Sequence, residues 1–156
     1  MWVIMADGMV AHWLWRVVTS GAVLGWMGLI FYLSSLSQAE MSQPLESSAV
    51  SWMGVLRSYV AHLVLYGFLA SLAMASVWCW KSAAAVCQTR WAAAAATFAA
   101  LYGVSDEYHQ SLVVGRSSSS VDILVNALAA IGAVAGLYLV ARWRRGVAAS
   151  LPRSSL

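Results

Sequence analysis

Four long apolar runs dominate this chain, and they leave few folds open to it. They extend from about Val17 to Leu36, Val60 to Trp80, Trp91 to Val114 and Val121 to Trp143. An apolar helix needs roughly 20 residues to cross a hydrocarbon layer. The first, second and fourth runs meet that length directly. The third meets it only if its polar end, Asp106 to Gln110, continues the helix. Only 10% of the residues are charged, against about 25% in soluble domains. The expected fold is therefore an all-α integral membrane protein: a bundle of four transmembrane helices, with residues 1–156 forming one domain.

Charge placement then sets a topology. Arg16 precedes the first run, Lys81 and Arg90 bracket the short link between the second and third, and Arg142, Arg144, Arg145 and Arg153 follow the fourth. The segment from Ser37 to Tyr59 carries Glu40 and Glu46 against a single Arg57. Basic residues concentrate on the cytoplasmic side of membrane helices. Both termini are thus expected in the cytoplasm of a multi-pass cell-membrane protein. Trp13, Trp15, Trp78, Trp80, Trp91 and Trp143 fall at the same inner ends and Trp52 outside, as an interfacial aromatic belt would. The net charge of +3 serves topology, and nucleic-acid binding is not expected.

Smaller features complete the outline. The first apolar run is too long for a signal-peptide core and is not expected to be cleaved. Residues before Arg16 read as interfacial, a short interfacial helix broken near Pro44 suits the Ser37–Tyr59 segment, and the tail after Arg145 reads as disordered. Cys79 and Cys87 read as plain thiols. Ala92 to Ala96, and the small residues from Gly132 to Gly136, suggest close helix packing, the latter also a face for homo-oligomers.

Polar residues gather at the outer ends of the runs. Ser34, Ser35 and Ser37 close the first, His62 opens the second, Asp106 to Gln110 end the third, and Asp122 with Asn126 begin the fourth. On a helix Asp106, His109 and Gln110 share a face, and Glu107 is turned about 100° away. Counting from Trp91, a rise of 1.5 Å per residue sets Asp106 roughly 22 Å into a layer about 30 Å thick. An unpaired carboxylate there is unfavourable. Arg116 is the expected counter-charge, because its planar fork can hold a carboxylate or phosphate at two points. Plainer readings stand beside these. Asp122, three residues after Ser119, fits a capping box. Asp106 and Arg116 could simply staple two helices. His62 and Tyr66, one turn apart, could make interhelical hydrogen bonds.

The ordered string Asp106-Glu107-Tyr108-His109-Gln110, then Gly115-Arg116, then Asp122 and Asn126 ahead of a Gly/Ala-rich final run, resembles the signature of the VanZ-like membrane proteins. Phe31-Tyr32-Leu33-Ser34-Ser35, and His62 with Tyr66, resemble the family's earlier motifs, so the likeness covers roughly Leu29 to Leu139. Two departures stand out: relatives often carry a lysine shortly before the span-two histidine, where this chain has Ser58-Tyr59-Val60-Ala61 and Arg57 is the nearest base, and a proline before Gly-Arg, where it has Val114. The resemblance implies an envelope protein of the glycopeptide-resistance kind, associated with reduced susceptibility to teicoplanin-type drugs, and brings no agreed biochemical activity.

The residues support two main functions. One is an outward-facing site for a lipid-linked or amphipathic ligand, built from Asp106, Glu107, His109, Gln110, Arg116, Asp122, Asn126 and His62. The other is an intramembrane enzyme acting on a lipid or cell-wall intermediate, with Glu107 or His109 as general base. In that reading Asp106 and Asp122 would be available to a divalent cation, although their spacing matches no metal motif and no resident metal or cofactor is expected. A small transporter is a third reading, disfavoured because no polar stripe reaches the cytoplasmic side.

Overall fold

A computed structural model describes residues 2–37, 51–81, 88–116 and 118–150, with side chains from 12 and, in the second helix, from 56. Four helices account for most of this: α1 (Trp2–Ser35), α2 (Ser51–Trp80), α3 (Thr89–Gln110) and α4 (Ser120–Ser150). No strand occurs among the described residues. Three helices contain stretches long and apolar enough to cross a membrane: His12–Ser35, Leu56–Trp80 and Ser120–Ala149. α3 does not qualify by composition, because its last turns hold Asp106, Glu107, His109 and Gln110.

The helices outrun the apolar runs. α1 begins at Trp2 with no break at Arg16, and α2 begins at Ser51, inside the segment read as a loop. α4 runs to Ser150, through residues read as a disordered tail. No proline interrupts any of these stretches, so apolarity ends before helical hydrogen bonding does. α3 conversely stops at Gln110, short of Val114. Short-range bonds from Leu112 to His109 and Val113 to Gln110 tighten the chain, and Gly115 at φ 80° completes the reversal. Glycine reaches that left-handed conformation without a Cβ clash. Pro44, Glu40, Glu46, Cys87, the Trp52 side chain and residues 151–156 lie outside what is described.

Hydrogen bonds fix the relative directions. At one end Arg16 Nε donates to the Cys79 carbonyl (3.1 Å) and Trp80 Nε1 to Ser20 Oγ (3.1 Å). Midway, Trp26 Nε1 donates to the Leu65 carbonyl (2.9 Å) and Tyr102 Oη to that of Met27 (2.7 Å). At the other end Gln110 Nε2 reaches Ser34 Oγ (3.3 Å). α1 and α3 thus run one way and α2 the other; His62 meeting Asn126 makes α4 antiparallel to α3. The first end is aromatic and basic: Arg16 lies over Trp13 and Trp80, and Lys81 and Arg90 over Trp91.

The core is slender. Ile30, Tyr66, Leu69, Ala70, Met74, Ala99 and Ala130 are fully buried, while Leu24, Val64, Phe68, Leu101, Leu128, Ile131 and Leu139 face outward. Small residues bring the helices close, as is usual between membrane helices. Of the alanine run, Ala95 is buried and Ala93 and Ala94 are exposed. The Gly132–Gly136 pattern corrects expectation: a Cβ at either glycine would meet nothing within 4 Å, so among the described residues it packs against no helix. The close approach is at Gly103, where a Cβ would lie 3.0 Å from Asn126 Cβ and 3.2 Å from Tyr66 Cε1. Thermal unfolding in detergent should separate these sites. Gly103→Ala should cost about 1–3 kcal/mol through overpacking, whereas Gly132→Ala should leave the midpoint unchanged or raise it.

Candidate functional site

The polar end of the helices is assembled from all four of them. Ser34 comes from α1, His62 and Tyr66 from α2, Asp106, Glu107 and Gln110 from α3, and Asn126 from α4; all are buried. Buried polar groups are tolerable only when they bond to one another. Here they form two adjoining networks, one around each α3 carboxylate.

Asp106 Oδ2 accepts hydrogen bonds from Tyr66 Oη (2.7 Å) and Gln110 Nε2 (2.9 Å). Gln110 Oε1 in turn accepts from Arg116 Nη2 (2.8 Å). Arg116 Nη1 also donates to the carbonyls of Leu33 and Leu36, each at 3.3 Å. The expected Asp106–Arg116 contact is thereby replaced by a relay through Gln110. Helical geometry gives the reason: Gln110 sits one turn beyond Asp106 on the same face and fills the space between carboxylate and guanidinium. Every acceptor that Arg116 meets among the described residues is neutral, and the chain places this half-buried cation against the C-terminal carbonyls of α1. Cations are favoured at such helix ends.

Glu107 is turned off the Asp106–Gln110 face as expected, and it is 1% exposed, more deeply buried than Asp106. α3 packs against α1, α2 and α4, so a 100° step carries a side chain from one helix interface into the next rather than outward. Glu107 Oε2 accepts from the Ser119 amide (3.2 Å). Ser119 caps α4, its Oγ accepting from the Val121 amide (3.1 Å). In a capping box the residue three along would return a bond to the Ser119 amide. Glu107 takes that bond instead, and Asp122, three along, is left out of the cap.

His62 Nδ1 donates to Asn126 Oδ1 (2.9 Å) and lies 3.9 Å from Glu107 Oε1. Tyr66 bonds Asp106, so both expected interhelical bonds of α2 exist, each with its own partner on another helix. Two buried atoms of this network have no hydrogen-bond partner, Glu107 Oε1 and Asn126 Nδ2. His109 lies apart, its ring stacked on Phe31 (4.4 Å) and Nε2 3.0 Å from Ser35 Oγ. It faces α1, about 60° around α3 from Asp106 on the side away from Glu107.

The residues singled out by sequence therefore converge, with His109 at the margin. Tyr66, Ser34, Ser119 and Gly103 belong to the same arrangement. Tyr66 was visible only as a neighbour of His62, and Gly103 only as one turn before Asp106 and Glu107. At the opposite end a shallow cleft lined by Gln88, Thr89, Arg90 and Tyr138 contains neither a carboxylate nor a histidine among the described residues.

Long apolar helices around one polar, hydrogen-bonded end define a helical protein of the membrane type. A family profile, VanZ/LLP1, matches residues 19–144, and the chain belongs to that family. The match takes in every residue of the two networks. No curated protein and no solved structure matches the chain.

Removing one donor tests the first network. Tyr66→Phe leaves Asp106 Oδ2 with Gln110 alone and should destabilise the protein by about 1–3 kcal/mol, seen as a lower unfolding midpoint. Ser111→Ala removes only an exposed local hydroxyl contact and should not shift it.

Proposed function

We propose that this VanZ-family protein is a multi-pass envelope protein whose polar end faces outward and binds the anionic head of a lipid-linked or otherwise amphipathic ligand. α3 serves as the fourth span, its polar last turns shielded by the other three helices, and both termini are cytoplasmic. The Trp/Arg/Lys cluster at the far end supports that orientation, since such residues favour the cytoplasmic interface.

One observation carries the reading: Arg116 is a half-buried cation whose partners among the described residues are all neutral. Its guanidinium is oriented by Gln110 and two main-chain carbonyls, and no carboxylate among the described residues neutralises it. A guanidinium held in this way suits a phosphate or carboxylate, and apolar helix surfaces beside it suit an acyl or prenyl chain. Retention of such a ligand at the outer face is a route to lowered glycopeptide susceptibility, in keeping with the family's association. An intramembrane enzyme is the competing reading. It is favoured by the grouping of His62, Glu107 and Asp122 rather than by the Asp106–Asp122 pair.

Binding of a fluorescent polyprenyl phosphate to the detergent-purified protein tests the proposal, with the matching polyprenol as control. The phosphate should bind and the alcohol should bind far less. Arg116→Ala should weaken phosphate binding about 10-fold or more, the worth of a charge-assisted hydrogen bond, and Arg116→Lys should fall between. Equal binding of phosphate and alcohol, or full affinity in Arg116→Ala, would sink the reading.

A further inference from the structure

We infer that His62, Glu107 and Asp122 form a binding site for a first-row divalent cation, Zn²⁺ foremost. Three helices bring them together: His62 from α2, Glu107 from α3 and Asp122 from the first turn of α4. One potential ligand atom from each lies within 4.8 Å of the other two. No two of the three are close in sequence, so the grouping is a product of the fold.

Two observations distinguish the cluster from a chance gathering of acids. Glu107 is 1% exposed, yet its Oε1, the atom nearest His62, has no hydrogen-bond partner among the described residues. Buried side-chain oxygens are nearly always bonded, and leaving one bare costs the desolvation of that group. Asp122 is the second. Its position in the first turn of α4 predicts a capping role, but Glu107 Oε2 already holds the Ser119 amide, and Asp122 accepts no hydrogen bond among the described residues. One carboxylate thus serves the helix through one oxygen and presents the other, and the displaced carboxylate turns to the same place.

Charge points the same way. The cluster brings two carboxylates together, and Arg116 bonds to neither of them. A divalent cation would neutralise the pair, which matters most where water is scarce. The donor set selects the cation: an imidazole nitrogen with two carboxylate oxygens suits Zn²⁺ or Mn²⁺ better than Mg²⁺ or Ca²⁺, which prefer all-oxygen shells. His62 Nδ1, the nitrogen nearest Glu107 Oε1, donates to Asn126 in the metal-free protein, so coordination through Nδ1 would shift the ring proton to Nε2 and displace the Asn126 bond. The ligand atoms stand wider apart than the roughly 3.3 Å edge of a tetrahedral Zn²⁺ site. Asp122, half-exposed and free of the cap, is the side chain able to close that gap. Three protein ligands leave a position for water or for an oxygen of a bound phosphate. The site stands independently of the lipid reading, because the metal alone is the probe.

The test uses tag-free protein in detergent, loaded with Zn²⁺, desalted and assayed for bound metal, with Co²⁺ as a spectroscopic substitute. One Zn²⁺ per chain is expected, with Mg²⁺ failing to compete, and Co²⁺ should show visible bands without thiolate charge transfer. Asp122→Asn, which leaves both networks and the Ser119 cap intact, should lose most of the bound metal while keeping the wild-type unfolding midpoint without metal. Glu107→Gln should lose it as well, and Asp106→Asn should retain it. A wild-type protein that comes through desalting without metal overturns the inference. So does full metal content in Asp122→Asn, or a thiolate signature from Cys79.

Discussion

The architecture of the polar end depends on one constraint: two adjacent carboxylates, Asp106 and Glu107, must both find donors inside a protein whose outer surface is apolar. One helical step sends them to different neighbours. Asp106 is satisfied by Tyr66 and by its own-helix partner Gln110. Glu107 reaches the start of α4. From those two anchors follow the position of Arg116, the pairing of His62 with Asn126, and the preference for glycine at position 103, where a Cβ would press on Asn126 and Tyr66.

The two networks differ in kind, and the difference bears on function. Around Asp106 the donors and acceptors are matched: Gln110 gives both amide hydrogens, to Asp106 and Ser34, and takes one from Arg116. Such a network specifies how α1, α2 and α3 dock. Around Glu107 the matching is incomplete, with a bare carboxylate oxygen and a bare amide nitrogen fully buried beside it. Unsatisfied buried groups are rare in folded proteins, and a bound water or ion is one of the things that satisfies them.

Much of this was legible in the sequence, and the misses have physical causes. Apolar run length located the helices, and the ordered string from Asp106 to Asn126 identified the family. Run length failed at helix ends, because backbone hydrogen bonding continues past the apolar stretch through Arg142–Ser150 and before Val60. Periodicity put Asp106 and Gln110 on one face correctly. It also set Glu107 about 100° off that face, and what it could not show is that α3 packs against three neighbours, so that step leads into another interface rather than outward. The Arg116 contact was misassigned for a related reason: charge complementarity names candidates but cannot see that Gln110 stands between them. The capping box at Ser119 was half right, since a side chain from another helix can outcompete the local one. The Gly132–Gly136 spacing carries no information about which surface it packs against.

The bond from the Ser119 amide to Glu107 also bears on the order of assembly. Membrane helices form separately and associate afterwards. Before association, the N-cap of α4 must leave its amide to water or borrow the Asp122 carboxylate in an ordinary capping box. Docking of α3 would then substitute Glu107 and release Asp122. The aspartate would thus change employment during biogenesis, guarding a helix end in the nascent protein and standing available only in the finished one.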